Sequence, residues 1–175
     1  MSETLQFKRK DPRAVISTKF GDMLIRLYTQ DAPRHVENFI KLAKMGFYDG
    51  LRFHRVIPRF MIQGGDPLSK SAERAQHGTG GPGYWLNPEP NDRPHKRGAL
   101  SMAKVPRESN STRDINDSGS QFFICVADSS GLDRIYTVFG EVMRGMDVAD
   151  KIAAVARDPR DNPLEPIEMK ITIKE

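Results

Sequence analysis

The sequence has a single cysteine, Cys125, so no disulfide can form within the chain. That cysteine lies in the apolar run FFICVA and reads as a buried core residue, whereas a nucleophilic thiol needs an exposed, electropositive setting. No apolar run is long enough to cross a bilayer. The opening MSETLQFKRKDPR has no apolar stretch behind its charges and does not read as a secretory signal, so a cytoplasmic location and no membrane partner are expected. The four histidines, His35, His54, His77 and His95, share no metal-ligand spacing, and no metal site is expected. No Ser-His-Asp set shows by order or spacing, which leaves open only a triad assembled from distant residues. Internal repeats and domain linkers are also missing.

Charge is modest. A net +4 on 175 residues is an ordinary solubility charge, although the pI is about 9.3. The tight basic cluster KRKDPR spans residues 8–13 and reads as part of a solvated tail, not as a nucleic-acid arm. The expected organisation is a flexible basic segment over 1–13 and one domain over 14–175, with no nucleic-acid partner.

Turn formers are plentiful, with 14 Gly and 12 Pro spread along the chain, which points to many short strands. Ala14–Thr18 and Met23–Tyr28 are rich in β-formers, with a hairpin turn at Phe20-Gly21-Asp22. Asp31-Ala32-Pro33 reads as a helix start with Asp31 as N-cap. Val36, Phe39, Ile40 and Ala43 follow at helical spacing, and Gly46 fits the stop. Further strands are expected at Phe53–Ile57, Phe60–Gly64, Ala99–Ala103, Phe122–Ala127, Tyr136–Val142 and Met169–Ile173. Met146, Val148, Ala149, Ile152 and Ala153 trace a second helix. Few helices separate the strands, which argues against a parallel α/β sheet. The economical solution is a mainly β fold, a closed antiparallel barrel of eight strands with two capping helices, because closure removes sheet edges. A β-sandwich fits the pattern alone as well.

Two motif matches fail on context. Gly78-Thr79-Gly80-Gly81-Pro82-Gly83 fits the dinucleotide glycine spacing, but Pro82 and the following YWLNPEP cannot open the required helix. The segment from Asp114 starts like a calcium loop, yet its twelfth position is Cys125, where a glutamate is needed.

The stretch FHRVIPRFMIQGGD, residues 53–66, carries more. Side chains alternate along a strand, so Arg55 faces away from Val56, while Met61 and Gln63 share a face opposite Ile62. A barrel wall could therefore present Arg55, Met61 and Gln63 outward with Phe60 at their edge, and Gln63 could fix the guanidinium fork. The competing reading is an arginine that packs its stem on the barrel and wets its head. This stretch alone does not choose between them.

FHRVIPRFMIQGGD closely resembles the cyclophilin signature, and GTGGPGY, GALSMA, GSQFFI, LD and VFGEV follow in that family's order. The resemblance runs from about Val15 to Ile173. It implies the eight-stranded barrel and peptidyl-prolyl cis-trans isomerase activity on proline-containing peptides and unfolded proteins, assisting folding as a monomer without a cofactor. It further implies that Arg55 is catalytic and that Gln63 orients it. Phe60, Met61, Phe123 and Leu132 would line the proline pocket. Ala103 and Gln121 would shape the peptide groove, bordered by the Gly78 loop.

Three positions depart from the common pattern. Tyr136 stands where a histidine is usual on the pocket wall, and its ring and polar tip should serve. Gly131 replaces a tryptophan that supports cyclosporin binding, so cyclosporin affinity should be weak. Lys104 replaces a groove asparagine, and the loop Lys104–Ser120 is longer than usual, forming a rim that biases the residue before proline. A non-catalytic proline-peptide binding module or holdase is the alternative function.

Overall fold

A computed structural model describes residues 11–105 and 116–174. Most of the expected basic segment 1–13 and of the rim loop 104–120 lies outside the described residues. Eight strands are present among them: β1 (Arg13–Thr18), β2 (Gly21–Leu27), β3 (Arg55–Ile57), β4 (Met61–Gly64), β5 (Ala99–Met102), β6 (Phe122–Cys125), β7 (Val138–Arg144) and β8 (Lys170–Lys174). Two α-helices join them, α1 (Pro33–Lys44) and α2 (Met146–Ala153). All strand pairs are antiparallel, and they form one sheet in the order β3-β4-β6-β5-β7-β2-β1-β8.

The sheet curls until its two ends approach, but it does not close as a continuous ladder. Ahead of β3 and β8 the chain makes one bridge, Arg52 to Glu168, and Phe53 N–H donates to Ile167 O at 3.0 Å. The expected closed barrel is thus a curled sheet joined at a seam. Three-residue β3 is too short to pair along β8, so the segments before both strands make the junction.

Alternation buries one face of this sheet. Ala14, Ile16, Met23, Ile25, Val56, Ile62, Leu100, Phe122 and Ile124 are all fully buried in the main core with the apolar stripe of α1 and with α2. Phe39 of α1 packs its ring on Tyr48, Phe139 and Phe122 at centroid distances of 5.3, 5.5 and 6.0 Å. Such a residue contributes about 1.5–3 kcal/mol by burial alone.

Asp31 does not cap α1. Ala32 occupies the N-cap position without a side-chain bond, and Asp31 instead accepts from Arg93 Nε at 3.0 Å. The orphan N–H of His35, in the first turn, is met from outside by Glu89 Oε1 at 2.9 Å. The helix stops as expected. Gly46 takes φ +74°, its N–H bonds Ala43 O, and Phe47 N–H bonds Leu42 O, which is a Schellman ending. The β1–β2 turn sits at Lys19-Phe20, one residue earlier than the sequence suggested, because Gly21 already pairs with Thr18.

Candidate active site

The β3–β4 hairpin decides which side chains leave the core. Its register pairs Arg55 with Gln63, Val56 with Ile62 and Ile57 with Met61. Val56 and Ile62 point into the main core, and the other two pairs lie on the opposite face. On that face is a second, smaller apolar cluster. Met61, Ala103, Phe123, Cys125, Val138, Ala99 and Tyr28 are buried in it, with Phe60, Leu132, Tyr136 and Ile57 packed half-buried against them. Every apolar side chain proposed from the sequence for the proline pocket falls in this cluster. Met61 and Phe123 form its floor, and Phe60, Leu132 and Tyr136 its rim.

Arg55 is exposed at the edge of this cluster, and Gln63 Oε1 accepts from its Nη1 at 3.5 Å. Gln63 Nε2 donates to Gln121 Oε1 at 3.1 Å, and Gln121 Nε2 donates to Gly80 O at 2.9 Å. The order of donors follows from the far end. A backbone carbonyl can only accept, so Gln121 must turn its amide nitrogen to Gly80 and offer its oxygen to Gln63. Gln63 must then donate to that oxygen, which leaves its own oxygen aimed at Arg55. Gln121 is fully buried, and its carbonyl accepts from Ala103 N–H at 2.9 Å, which joins the groove strands to this relay. The contact from the glycine loop comes from Gly80. Gly78, the expected bordering residue, takes φ +95° and donates its N–H to buried Asp66 Oδ2 at 2.5 Å. Gly65, which ends the opening stretch, has φ +93°, and a Cβ there would meet Ser120 O at 2.2 Å.

The far wall is aromatic. Tyr136 meets Phe123 edge-on, centroids 5.6 Å apart, and His95 stacks behind Phe123 at 6.0 Å. His95 is buried, its Nδ1 lies 3.0 Å from Asp133 Oδ1, and its Nε2 lies 2.9 Å from Ser101 Oγ. Burial pushes the His95 imidazole below its ordinary pKa, with Asp133 opposing the shift. Lys104 Nζ donates to Asp117 Oδ1 at 2.7 Å and sits 5.8 Å over the Tyr136 ring. Asp117 is fully buried, and its other oxygen lies 2.6 Å from His35 Nε2. His35 Nδ1 lies 2.6 Å from Glu89 Oε1. A chain of alternating groups therefore runs from α1 to the groove wall. Burial without such partners would be expensive.

No local pattern in the sequence points to His35, Asp117, Glu89, His95 or Gly80 in these roles. The pairs are 54 and 82 residues apart at His35, too far for any local motif. Cys125 lies on the floor of the second cluster, and burial pushes its thiol up to about 12, an inert state. Behind Arg55, His54 is buried and pushed down to about 4 by desolvation, against the pull of Asp66 and with His77 and Arg55 adding to the fall. Among the described residues no group of three or more His, Cys, Asp or Glu is arranged to hold a metal ion, and no helix is long and apolar enough to cross a membrane.

Comparison with known proteins gives a consistent picture. The sequence model of the cyclophilin type peptidyl-prolyl cis-trans isomerase/CLD family matches residues 13–173. A peptidyl-prolyl cis-trans isomerase of Synechococcus elongatus is 43% identical over 151 residues, covering 82% of this chain and 94% of its own length. One from Helicobacter pylori is 44% identical over 147 residues, covering 82% and 81%. The crystal structure of a Cryptosporidium parvum cyclophilin type peptidyl-prolyl cis-trans isomerase superposes with TM-score 0.80 at 29% identity, covering 94% of this chain and 98% of that one. The same protein in the presence of the dipeptide Ala-Pro gives 0.79 at 30% identity, covering 93% and 99%.

Proposed function

The chain belongs to the cyclophilin-type peptidyl-prolyl cis-trans isomerase family, and we propose that it accelerates rotation about X-Pro bonds at the Arg55 face of its sheet. The observation that carries this is the placement of Arg55. A guanidinium is held by an oriented amide relay at the edge of an apolar cluster with a half-exposed aromatic rim.

The chemistry needs no nucleophile and no proton relay. The X-Pro bond has partial double-bond character and a rotation barrier of about 18–20 kcal/mol. In the twisted transition state the resonance is lost, and the proline nitrogen becomes pyramidal and accepts a hydrogen bond. Arg55 suits that task because its charge is permanent and its donors are fixed in direction. Uncatalysed rotation at about 0.01 s⁻¹ must rise to roughly 10–10³ s⁻¹ for a typical enzyme, which requires about 4–7 kcal/mol. One charge-assisted hydrogen bond supplies roughly 1.5–3 kcal/mol. The rest comes from seating the ring on Phe60, Met61, Phe123 and Leu132 under Tyr136. The backbone before the proline is held along Ala103, Lys104 and Gln121, so that the twisted form fits best.

We further propose that the protein works as a monomer in the cytoplasm, on unfolded or exposed segments, with a role in folding. Weak cyclosporin binding is supported by Gly131, where a Cβ would point into open space with no side chain to present to a ligand. Exchange NMR on a short X-Pro peptide tests the activity. Faster cis/trans exchange in the presence of catalytic amounts of protein is expected. Binding with unchanged exchange would replace the isomerase by a holdase.

A further inference from the structure

Two arginines stand on backbone that favours glycine. Arg59 has φ 63° and Arg134 has φ 62°, and the third described non-glycine residue with positive φ is Asp161 at 65°. Aspartate tolerates the left-handed region because its short side chain can bond locally; a long arginine gains nothing of that kind. Turn geometry alone therefore does not account for the two arginines, and residues kept in such conformations concentrate at functional sites.

Both flank the proline pocket. Arg59 lies in the turn between β3 and β4, next to Phe60, whose carbonyl accepts from Val126 N–H at 2.9 Å. Arg134 lies between Leu132 and Tyr136, just beyond the 3-10 turn Ser130–Leu132. Both are exposed. Because β4 and β6 are antiparallel, with Met61 opposite Cys125 and Gln63 opposite Phe123, Phe60 marks one end of the groove and Gln121 with Ala103 the other. Arg59 is thus at the end away from Ala103 and Gln121, and the open space at Gly131 adjoins Leu132 there. The carboxylate already at that rim is Asp92, which pairs with Arg134, and the two side chains are 84% and 72% exposed. A pair so exposed to water is readily exchanged for an incoming carboxylate. Two further acids lie nearby: Asp133 is held by His95, and Asp128 accepts from Arg97 N–H at 2.9 Å.

We propose that Arg59 and Arg134 are specificity-determining residues that select acidic substrates, peptides carrying Asp or Glu in the two positions after the proline. This rests on the isomerase reading of the Arg55 site, with the segment before the proline along Ala103 and Gln121. The arginines act on which X-Pro segment is taken and not on the rotation itself.

The test compares kcat/KM, by exchange NMR, for Ala-Ala-Pro-Ala-Ala and Ala-Ala-Pro-Glu-Glu. Wild type is measured beside Arg59→Gly, Arg134→Gly and the double variant. Glycine suits both backbone positions, and circular dichroism checks folding. The wild type should favour the glutamate peptide by about three- to tenfold at low salt, an advantage that fades near about 0.5 M salt. In the double variant the ratio should fall to about one. Equal kcat/KM for the two peptides in the wild type, or a preference that survives in the double variant, overturns the proposal. Failure to accelerate the alanine peptide at all removes the isomerase reading and the proposal with it.

Discussion

Gln63 faces Arg55 directly across the β3–β4 ladder, and its oxygen is turned to the guanidinium because its nitrogen is committed to Gln121 at 3.1 Å. Removing it should loosen the fork without opening the core, since Gln63 is only half-buried. Gln63→Ala is expected to lower kcat/KM roughly tenfold, about 1.4 kcal/mol of transition-state stabilisation, with the melting temperature little changed. Peptide isomerisation beside a thermal melt checks it.

Arg55→Ala should lower isomerisation of a proline tetrapeptide by at least about tenfold, since a charge-assisted hydrogen bond is lost, while circular dichroism stays unchanged. Arg55→Lys should not restore the rate, because an ammonium lacks the planar fork that Gln63 holds. Full activity in the alanine variant would remove Arg55 from the mechanism.

Gly131→Trp should strengthen cyclosporin binding. The new side chain starts in open space beside Leu132, so it can cover the pocket rim without displacing a neighbour. Fluorescence titration of the variant and the wild type reads the change, and equal affinities would show that Gly131 is not what weakens binding.

His54 gives a pH signature. Its imidazole sits near 4 in the folded protein, pushed down by burial, against about 6.5 when unfolded. Between those values the unfolded chain binds the proton and the folded one does not, so stability is fully present above about pH 6.5 and falls as pH drops towards 4. The full difference is about 3 kcal/mol. Urea unfolding at pH 7.5 and at pH 4.5 should show this loss. His54→Gln, which removes the titration, should show a smaller one.

Gly65→Ala should destabilise strongly. Its φ of +93° strains any side chain, and the new Cβ would meet the Ser120 carbonyl at 2.2 Å, backbone that cannot step aside. A loss of more than about 2 kcal/mol is expected in denaturant unfolding.

Much of the fold was legible because alternation and helical spacing are local signals. The strands at 13–27, 55–64, 99–102, 122–125, 138–144 and 170–174 and both helices lie within a few residues of where the sequence put them. Several strand limits, such as the start of β3 at Arg55 and the end of β6 at Cys125, and the Asp31 cap were misplaced for a common reason. Ladder partners and the trans contact from Glu89 to His35 decide them, and neither is written nearby. The seam in place of a closed ladder is likewise a property of how β3 and β8 meet, which no single strand encodes. At the site, the face shared by Arg55, Met61 and Gln63 followed from period two. The relay through Gln121 to Gly80 did not, because amide order is set by a carbonyl 41 residues away in sequence.

The two apolar clusters lie back to back on one sheet, with Val56 and Ile62 in one and Ile57 and Met61 in the other. The same few residues of backbone thus serve both without mixing them. A lineage of such proteins can exchange the exposed tier, at Arg59, Gly131, Arg134 or Tyr136, and try new clients while the buried tier goes on folding the chain. Diversification of what is gripped is insulated from the risk of losing the scaffold that does the gripping.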